Sequence, residues 1–215
     1  MELPSDSRVT VSDAPPAAKI PPMLRRRLNH FGRACTAQML VLDVEQSTPV
    51  VYCSRHGDIS RSTDVLTSLA EGDDVSAIQF SLAVHNAIGG IYSIQTANNA
   101  NLSAITASDE PLMPTLIEAY GLLQQNEKKV LCVIADRPLP EVYQQVELSN
   151  FPAYVLAFVM TAGDVISISQ LGSDAVVSTE KGINQVISFA NFLANGVNCI
   201  DTEHNKSGWK ISRAC

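Results

Sequence analysis

Charge, aromatic rings and long apolar runs are all scarce in this chain. Charged residues make up 17% of it and aromatics 6%, with a single tryptophan. No apolar stretch approaches the roughly 18 residues that a membrane-spanning helix needs, so no membrane span is expected. The five cysteines, Cys35, Cys53, Cys132, Cys199 and Cys215, are odd in number and scattered, and no two form a C-x-x-C pair. They suggest neither a disulfide framework nor a zinc site. Cys53 and Cys132 sit in apolar runs, where cysteine behaves as a small hydrophobe, and this usage suits a reducing compartment. The opening MELPSDSRVTVSDAPPAAK is acidic and proline-rich with no apolar segment, so it does not read as a signal peptide. The N-x-S matches at Asn101 and Asn205 then carry no weight, and the expected location is cytoplasmic. Basic residues are outnumbered 15 to 22 by acidic ones, for a net charge of −7, and cluster only at Arg25, Arg26 and Arg27. Nucleic acid is excluded as a ligand on that ground. Metal-ligand spacings, phosphate-cradling loops and paired catalytic carboxylates are lacking as well, so no metal and no cofactor is expected.

What is present is a rhythm of strands and helices in 215 residues, 46% of them apolar. Residues 1–22 read as an extended arm. Leu24, Leu28, Phe31, Cys35, Met39 and Leu42 recur at helical spacing and predict one helix over 23–45. VVYCS (50–54) reads as a buried strand followed by a turn at 55–58, then a helix over 61–71 stopped by Gly72. Residues 77–84 read as loop or strand. Asn86 opens a helix with small residues, Gly89 and Gly90, on a packing face. A short strand over 102–107 leads to a helix capped by Asp109 and running to about Gln125, its start disturbed by Pro114. KVLCVIA (129–135) and YVLAFVMTA (154–162) are buried strands. VISISQL (165–171) alternates like an antiparallel edge neighbour; 184–195 reads as a helix and 209–213 as a last strand. Near-continuous apolar strands alternating with helices mean an α/β fold, a mixed, mostly parallel sheet covered on both faces. The domain reading is an arm (1–22), a central domain (23–171) and a C-terminal helix-and-strand extension (172–215).

The order of segments carries more meaning than any one motif. VVYCSRHG, the helix at Asn86-Ala-Ile-Gly-Gly-Ile-Tyr-Ser-Ile, then Ile105-Thr106-Ala107-Ser108, LIEAYGLLQ, KVLCVIADRPLP and YVLAFVM run in the sequence of the amino-terminal half of β-ketoacyl synthases. The stretch from about Val50 to Val159 resembles that family, and the opening PPMLRRRL with FSLAVHNA looks like the short ketosynthase-like chain-length factors of aryl-polyene clusters. The resemblance implies a thiolase-like half-fold. It places Ser108 where a ketosynthase carries its nucleophilic cysteine. A thiolate profits from a helix N-terminus, whereas a serine hydroxyl needs an adjacent base. Asp109 and Glu110 follow directly and oppose an anion there. After Ser108 the chain has one histidine, His204, no His-Gly-Thr-Gly-Thr-like segment and no length for a second half of the fold.

The resemblance therefore implies a non-catalytic subunit that forms a heterodimer with a catalytic ketosynthase and limits how long the acyl or polyene chain grows, with an acyl carrier protein as a further candidate partner. It implies a chain-length gate at His56, Ile59, Thr63, Gln79 and Phe80. It implies an interface at Asn86 and along the strand bearing Tyr154, Leu156, Phe158 and Met160. Two other readings stay open: a serine acyl hydrolase or transferase using Ser108 with His85 or His56, and a homodimeric scaffold. A G-x-S-x-G elbow, which would favour the first, is lacking.

Overall fold

Two apolar runs fix the centre of the molecule. A computed structural model describes residues 20–143, 145, 151–172 and 182–214. The arm read over 1–22 thus falls almost wholly outside the described residues. In β1 (Val50–Cys53) every residue is buried, and β3 (Lys129–Asp136) is buried from Val130 onward. They lie side by side and parallel in a four-stranded sheet of order β2-β1-β3-β4. β2 (Leu102–Ile105) is parallel to β1, and β4 (Tyr154–Thr161) runs antiparallel to β3.

Alternate residues of these strands feed opposite faces. On one face, α2 (His30–Leu42) and α5 (Ala87–Thr96) bring Phe31, Met39, Ile88 and Tyr92 against Tyr52 and Leu131. On the other, α6 (Leu112–Gln124) and α7 (Ile183–Ala194) pack on Val51, Cys53, Cys132 and Ile134. A second, antiparallel sheet lies beyond these helices, of order β5-β7-β6: β5 (Ile166–Gln170), β6 (Cys199–His204) and β7 (Ser207–Arg213). It turns Ile166, Ile200, Trp209 and Ile211 toward α6 and α7. The alternate positions, such as Ser167, Asp201 and Lys210, fall on its other, polar face, which needs no covering layer. The expected fold class holds: an α/β fold whose mostly parallel main sheet has helices on both sides.

Several local expectations are corrected. The predicted helix 23–45 is two helices, α1 (Pro22–Arg27) and α2. Leu28 is extended between them, and the Asn29 side chain caps α2 by accepting from the Gly32 N–H at 2.9 Å. The apolar periodicity crosses the break because Leu24 and Leu28 remain buried beside Ile20. Residues 77–84 are neither strand nor loop throughout: Ser76 and Gln79 form a reciprocal capping box that starts α4 (Ala77–Ser81). The helix placed at 61–71 begins earlier, as α3 (Ile59–Glu71), and ends at Gly72 in the left-handed region as expected. Residues 165–171 do form a strand, but its neighbour is β7 in the second sheet, and β6 went unread. Of the glycine pair, Gly89 alone is pressed: a Cβ there would lie 2.8 Å from Leu102, whereas nothing lies within 4 Å at Gly90.

Asp109 does not cap α6. The first residue of that helix, Leu112, donates its N–H at 3.0 Å to Gln185 Oε1, a side chain from α7. Pro114 falls in the first turn of α6, where a missing N–H breaks no bond. Gln185 is buried, and its amide nitrogen donates to Thr202 Oγ1 at 2.6 Å and to the Glu203 carbonyl at 3.3 Å. One side chain thus ties α6, α7 and β6. Gln185→Leu keeps the volume and strands three polar groups, so a loss of about 2–4 kcal/mol is expected in urea unfolding. A change under about 0.5 kcal/mol would show that the tie contributes nothing.

Candidate functional site

Ligands of parallel sheets gather at the carboxyl ends of the strands. Here that end holds the turn Ser54–Asp58 after β1, the segment Thr106–Glu110 after β2, and Asp136 with Arg137 at the end of β3.

The turn after β1 is gripped from two sides. Beneath it, Asp136 Oδ1 accepts from the Ser54 hydroxyl at 3.1 Å and the Arg55 N–H at 3.0 Å, and the His56 N–H also bonds this carboxylate. The Ser54 hydroxyl accepts in turn from the Gly57 N–H at 2.8 Å. Gly57 has φ +59°, and a Cβ there would come 3.1 Å from His85 Cα. Burial pushes the Asp136 carboxyl up to about 6, while the hydrogen bonds from the turn and the charge of Arg55 pull it down. On the flank, His85 Nε2 lies 2.9 Å from the Ser54 carbonyl. A carbonyl only accepts, so this nitrogen carries the proton and donates. Thr106 Oγ1, 3.2 Å away, therefore meets an N–H rather than a lone pair. The buried Asp58 completes the turn, with Asn29 Nδ2 at 2.6 Å, Arg61 Nε at 3.0 Å and Arg137 Nη1 at 3.3 Å around its carboxylate.

Ser108 is exposed and has no hydrogen bond to any described residue. It stands four positions before α6, not at its cap. Its neighbour Asp109 pairs with Arg55 Nη1 at 2.8 Å. Glu110 Oε2 accepts from the Asn205 N–H at 3.0 Å and lies 3.3 Å from His204 Nδ1. Sequence reasoning missed that His204 comes beside this segment. The two-residue turn Asn205–Lys206, with φ +52° and +63°, carries it there across about a hundred residues, and no local pattern announces such a meeting. Among the cysteines, burial pushes Cys53 up to about 11 and Cys132 up to about 12, and Cys35 higher still, so these three stay protonated thiols inside the core.

The remaining candidates fall into two groups. His56, Ile59 and Thr63 are half-buried on the turn and the first turns of α3, where the Thr63 hydroxyl donates back to the Ile59 carbonyl at 2.8 Å. Gln79 spends its side chain on the capping box of α4, and Phe80 is 63% exposed, outside every core cluster. α3 and the loop after α4 are joined by the Ser62 hydroxyl donating to the Ala83 carbonyl at 2.7 Å, so these residues share one flank. Asn86 is exposed at the start of α5 and makes no side-chain cap. Tyr154, Leu156, Phe158 and Met160 lie on the face of β4 that packs against the core around α7. The strand's outer backbone edge has no neighbouring strand among the described residues. A separate apolar groove of about 610 Å³ runs beside α6, bounded by Tyr120, Met160, Ile168 and Trp209, and among the described residues no acid, histidine or cysteine lines it.

The model of the β-ketoacyl synthase N-terminal domain matches residues 4–212. The chain belongs to that family. The match runs well beyond the stretch 50–159 that carries the resemblance in sequence. No curated protein sequence matches this ketosynthase-family chain. Among solved structures it is similar to a chain of the ketosynthase ApeO in complex with its chain length factor ApeC from Xenorhabdus doucetiae. The TM-score there is 0.79 at 25% identity, covering 92% of this chain and 83% of that one. A chain of the ishigamide ketosynthase/chain length factor gives 0.64 at 10% identity over 91% and 84%. A β-ketoacyl synthase from Burkholderia phymatum gives 0.53 at 10% identity, over 75% of this chain but 52% of that one. The last two, below 25% identity, speak to fold alone. Among the described residues no helix is long and apolar enough to cross a membrane.

Proposed function

We propose that this chain is a non-catalytic, chain-length-limiting subunit that pairs with a catalytic ketosynthase. The observation that carries the reading is the state of Ser108: exposed, bonded to no described residue, and followed by an aspartate already paired with Arg55. Its candidate base His85 presents a proton to the Ser54 carbonyl, which argues against the serine hydrolase reading. The similar chain from a ketosynthase–chain length factor complex supports the choice of partner. So does a flank of exposed apolar side chains, Leu66, Leu69, Ile78, Phe80 and Val84, on α3 and around α4, larger than an isolated surface residue explains.

The partner is proposed to cover that flank and an open edge of the main sheet. β4 is the longer edge, eight residues against four in β2. Because Tyr154, Leu156, Phe158 and Met160 point into the core, pairing there would use backbone groups. An exposed edge is a liability that such pairing removes.

The test is co-expression with the full-length ketosynthases of the same genome, followed by size exclusion and hydrogen exchange. A stable one-to-one complex with amides of β4 newly protected is expected, with β2 protected instead if that edge pairs. Mass spectrometry of the isolated chain after exposure to a reactive acyl donor should show Ser108 unmodified. A stable acyl-Ser108 adduct, or a monodisperse monomer that ignores every ketosynthase, would sink the reading.

A further inference from the structure

We propose that Asp136 is a positioning residue for chain-length control: its carboxylate holds the turn that carries His56, and so fixes where that side chain stands. The inference rests on the chain-length reading above.

The geometry is specific. Asp136 is buried at the end of β3, a central strand that is buried from Val130 onward. Among the described residues its carboxylate accepts no hydrogen bond from the helices. It gathers three consecutive residues of one turn instead: the Ser54 hydroxyl at 3.1 Å, the Arg55 N–H at 3.0 Å and the His56 N–H. Ser54 relays the hold to the Gly57 N–H at 2.8 Å. Four residues of the turn thereby depend on one carboxylate. The guanidinium of Arg55 points the other way, to Asp109 at 2.8 Å, so the same turn also holds the segment after β2. A carboxylate accepting several N–H and O–H donors is a strong anchor, because charge-assisted bonds are about twice as strong as neutral ones. A loop held this way has one conformation, and a side chain on it blocks a tunnel at one depth.

The test uses the co-expressed heterodimer and reads product length by mass spectrometry. His56→Ala is expected to lengthen the products. Asp136→Ala should reproduce that profile, longer products rising roughly tenfold against the parent's main product, the scale set by losing, of the three charge-assisted bonds, the one from the His56 N–H. Asp136→Asn keeps an acceptor at Oδ1 and should restore the parent profile. The double variant His56→Ala/Asp136→Ala should match His56→Ala alone, since a positioning residue has nothing left to position. A general loss of stability would instead add to the His56 effect. If Asp136→Ala does not fold, Ser54→Ala, which removes a single hydroxyl, decides with a smaller shift in the same direction. Parent product lengths from intact Asp136→Ala or Ser54→Ala complexes, beside a shift from His56→Ala, overturn this inference alone. Parent lengths from His56→Ala overturn it together with the gate it serves.

Discussion

Replacing Phe80 with alanine is expected to leave the heterodimer assembled and to shift its products to longer chains. A phenylalanine that fills its own core loses about 3–5 kcal/mol on truncation. Phe80 is 63% exposed and lies in α4, a helix with no buried residue, so its truncation should change the stability of the lone chain by no more than about 0.5 kcal/mol. Phe80 belongs to no core cluster of the described residues, so the expected role is against a partner. In a close-packed tunnel a ring is a wall, and removing it admits further methylenes without any change in chemistry. The measurement is product mass from the co-expressed pair together with the melting curve of the isolated subunit. An intact complex with unchanged product length removes Phe80 from the gate, and a large drop in stability would show that the ring packs internally after all.

The largest stability effect is expected at Asp43. Its carboxylate is buried and takes donors from the Thr48 hydroxyl at 2.6 Å, the Thr48 N–H at 3.2 Å, the Tyr92 hydroxyl at 2.8 Å and Asn98 Nδ2 at 3.5 Å. Asn98 also donates to the Thr48 carbonyl at 2.9 Å. Burial first, and then the bond to Asp43, hold the Tyr92 phenol protonated, so it remains a donor. The network joins the end of α2, the entry to β1, α5 and the approach to β2. Asp43→Ala strands four donors in the interior and should cost roughly 3–5 kcal/mol, a large part of the total stability of an ordinary domain. Tyr92→Phe removes one donor and should cost about 1 kcal/mol. Chemical unfolding of both variants and their double measures the coupling; additive effects would mean that the groups do not act as a network.

The central strands were legible because burial on both faces leaves nothing but apolar residues, as in Val50 to Cys53 and Val130 to Ala135. Helix α4 was not, although Ser76 and Gln79 spell its capping box, because AIQFSLAV carries too many apolar residues for a helix that buries none. Strand β6 was missed for a similar reason: Cys199, Asp201 and Glu203 face away from the core, and only Ile200 and Thr202 mark the inner face. The site divides in the same manner. Ser108 and the turn at His56 are local features and stood out. The hold of Asp136 on that turn, the pairing of Glu110 with His204 and the capping of α6 by Gln185 join residues about 70 to 95 positions apart, and periodicity carries no information at that range.

The Gln185 tie also sets an order of events in synthesis. All four strands of the main sheet have been made by Thr161, but α7, which covers Phe158 and supplies Gln185, ends at Ala194. At about 5–20 residues per second a ribosome needs roughly 2–7 s for that interval. During it the part of this face that α7 covers stays open beside α6 and the Leu112 amide lacks its Gln185 acceptor, which makes this the window in which a chaperone, or an early-arriving partner subunit, has most to gain.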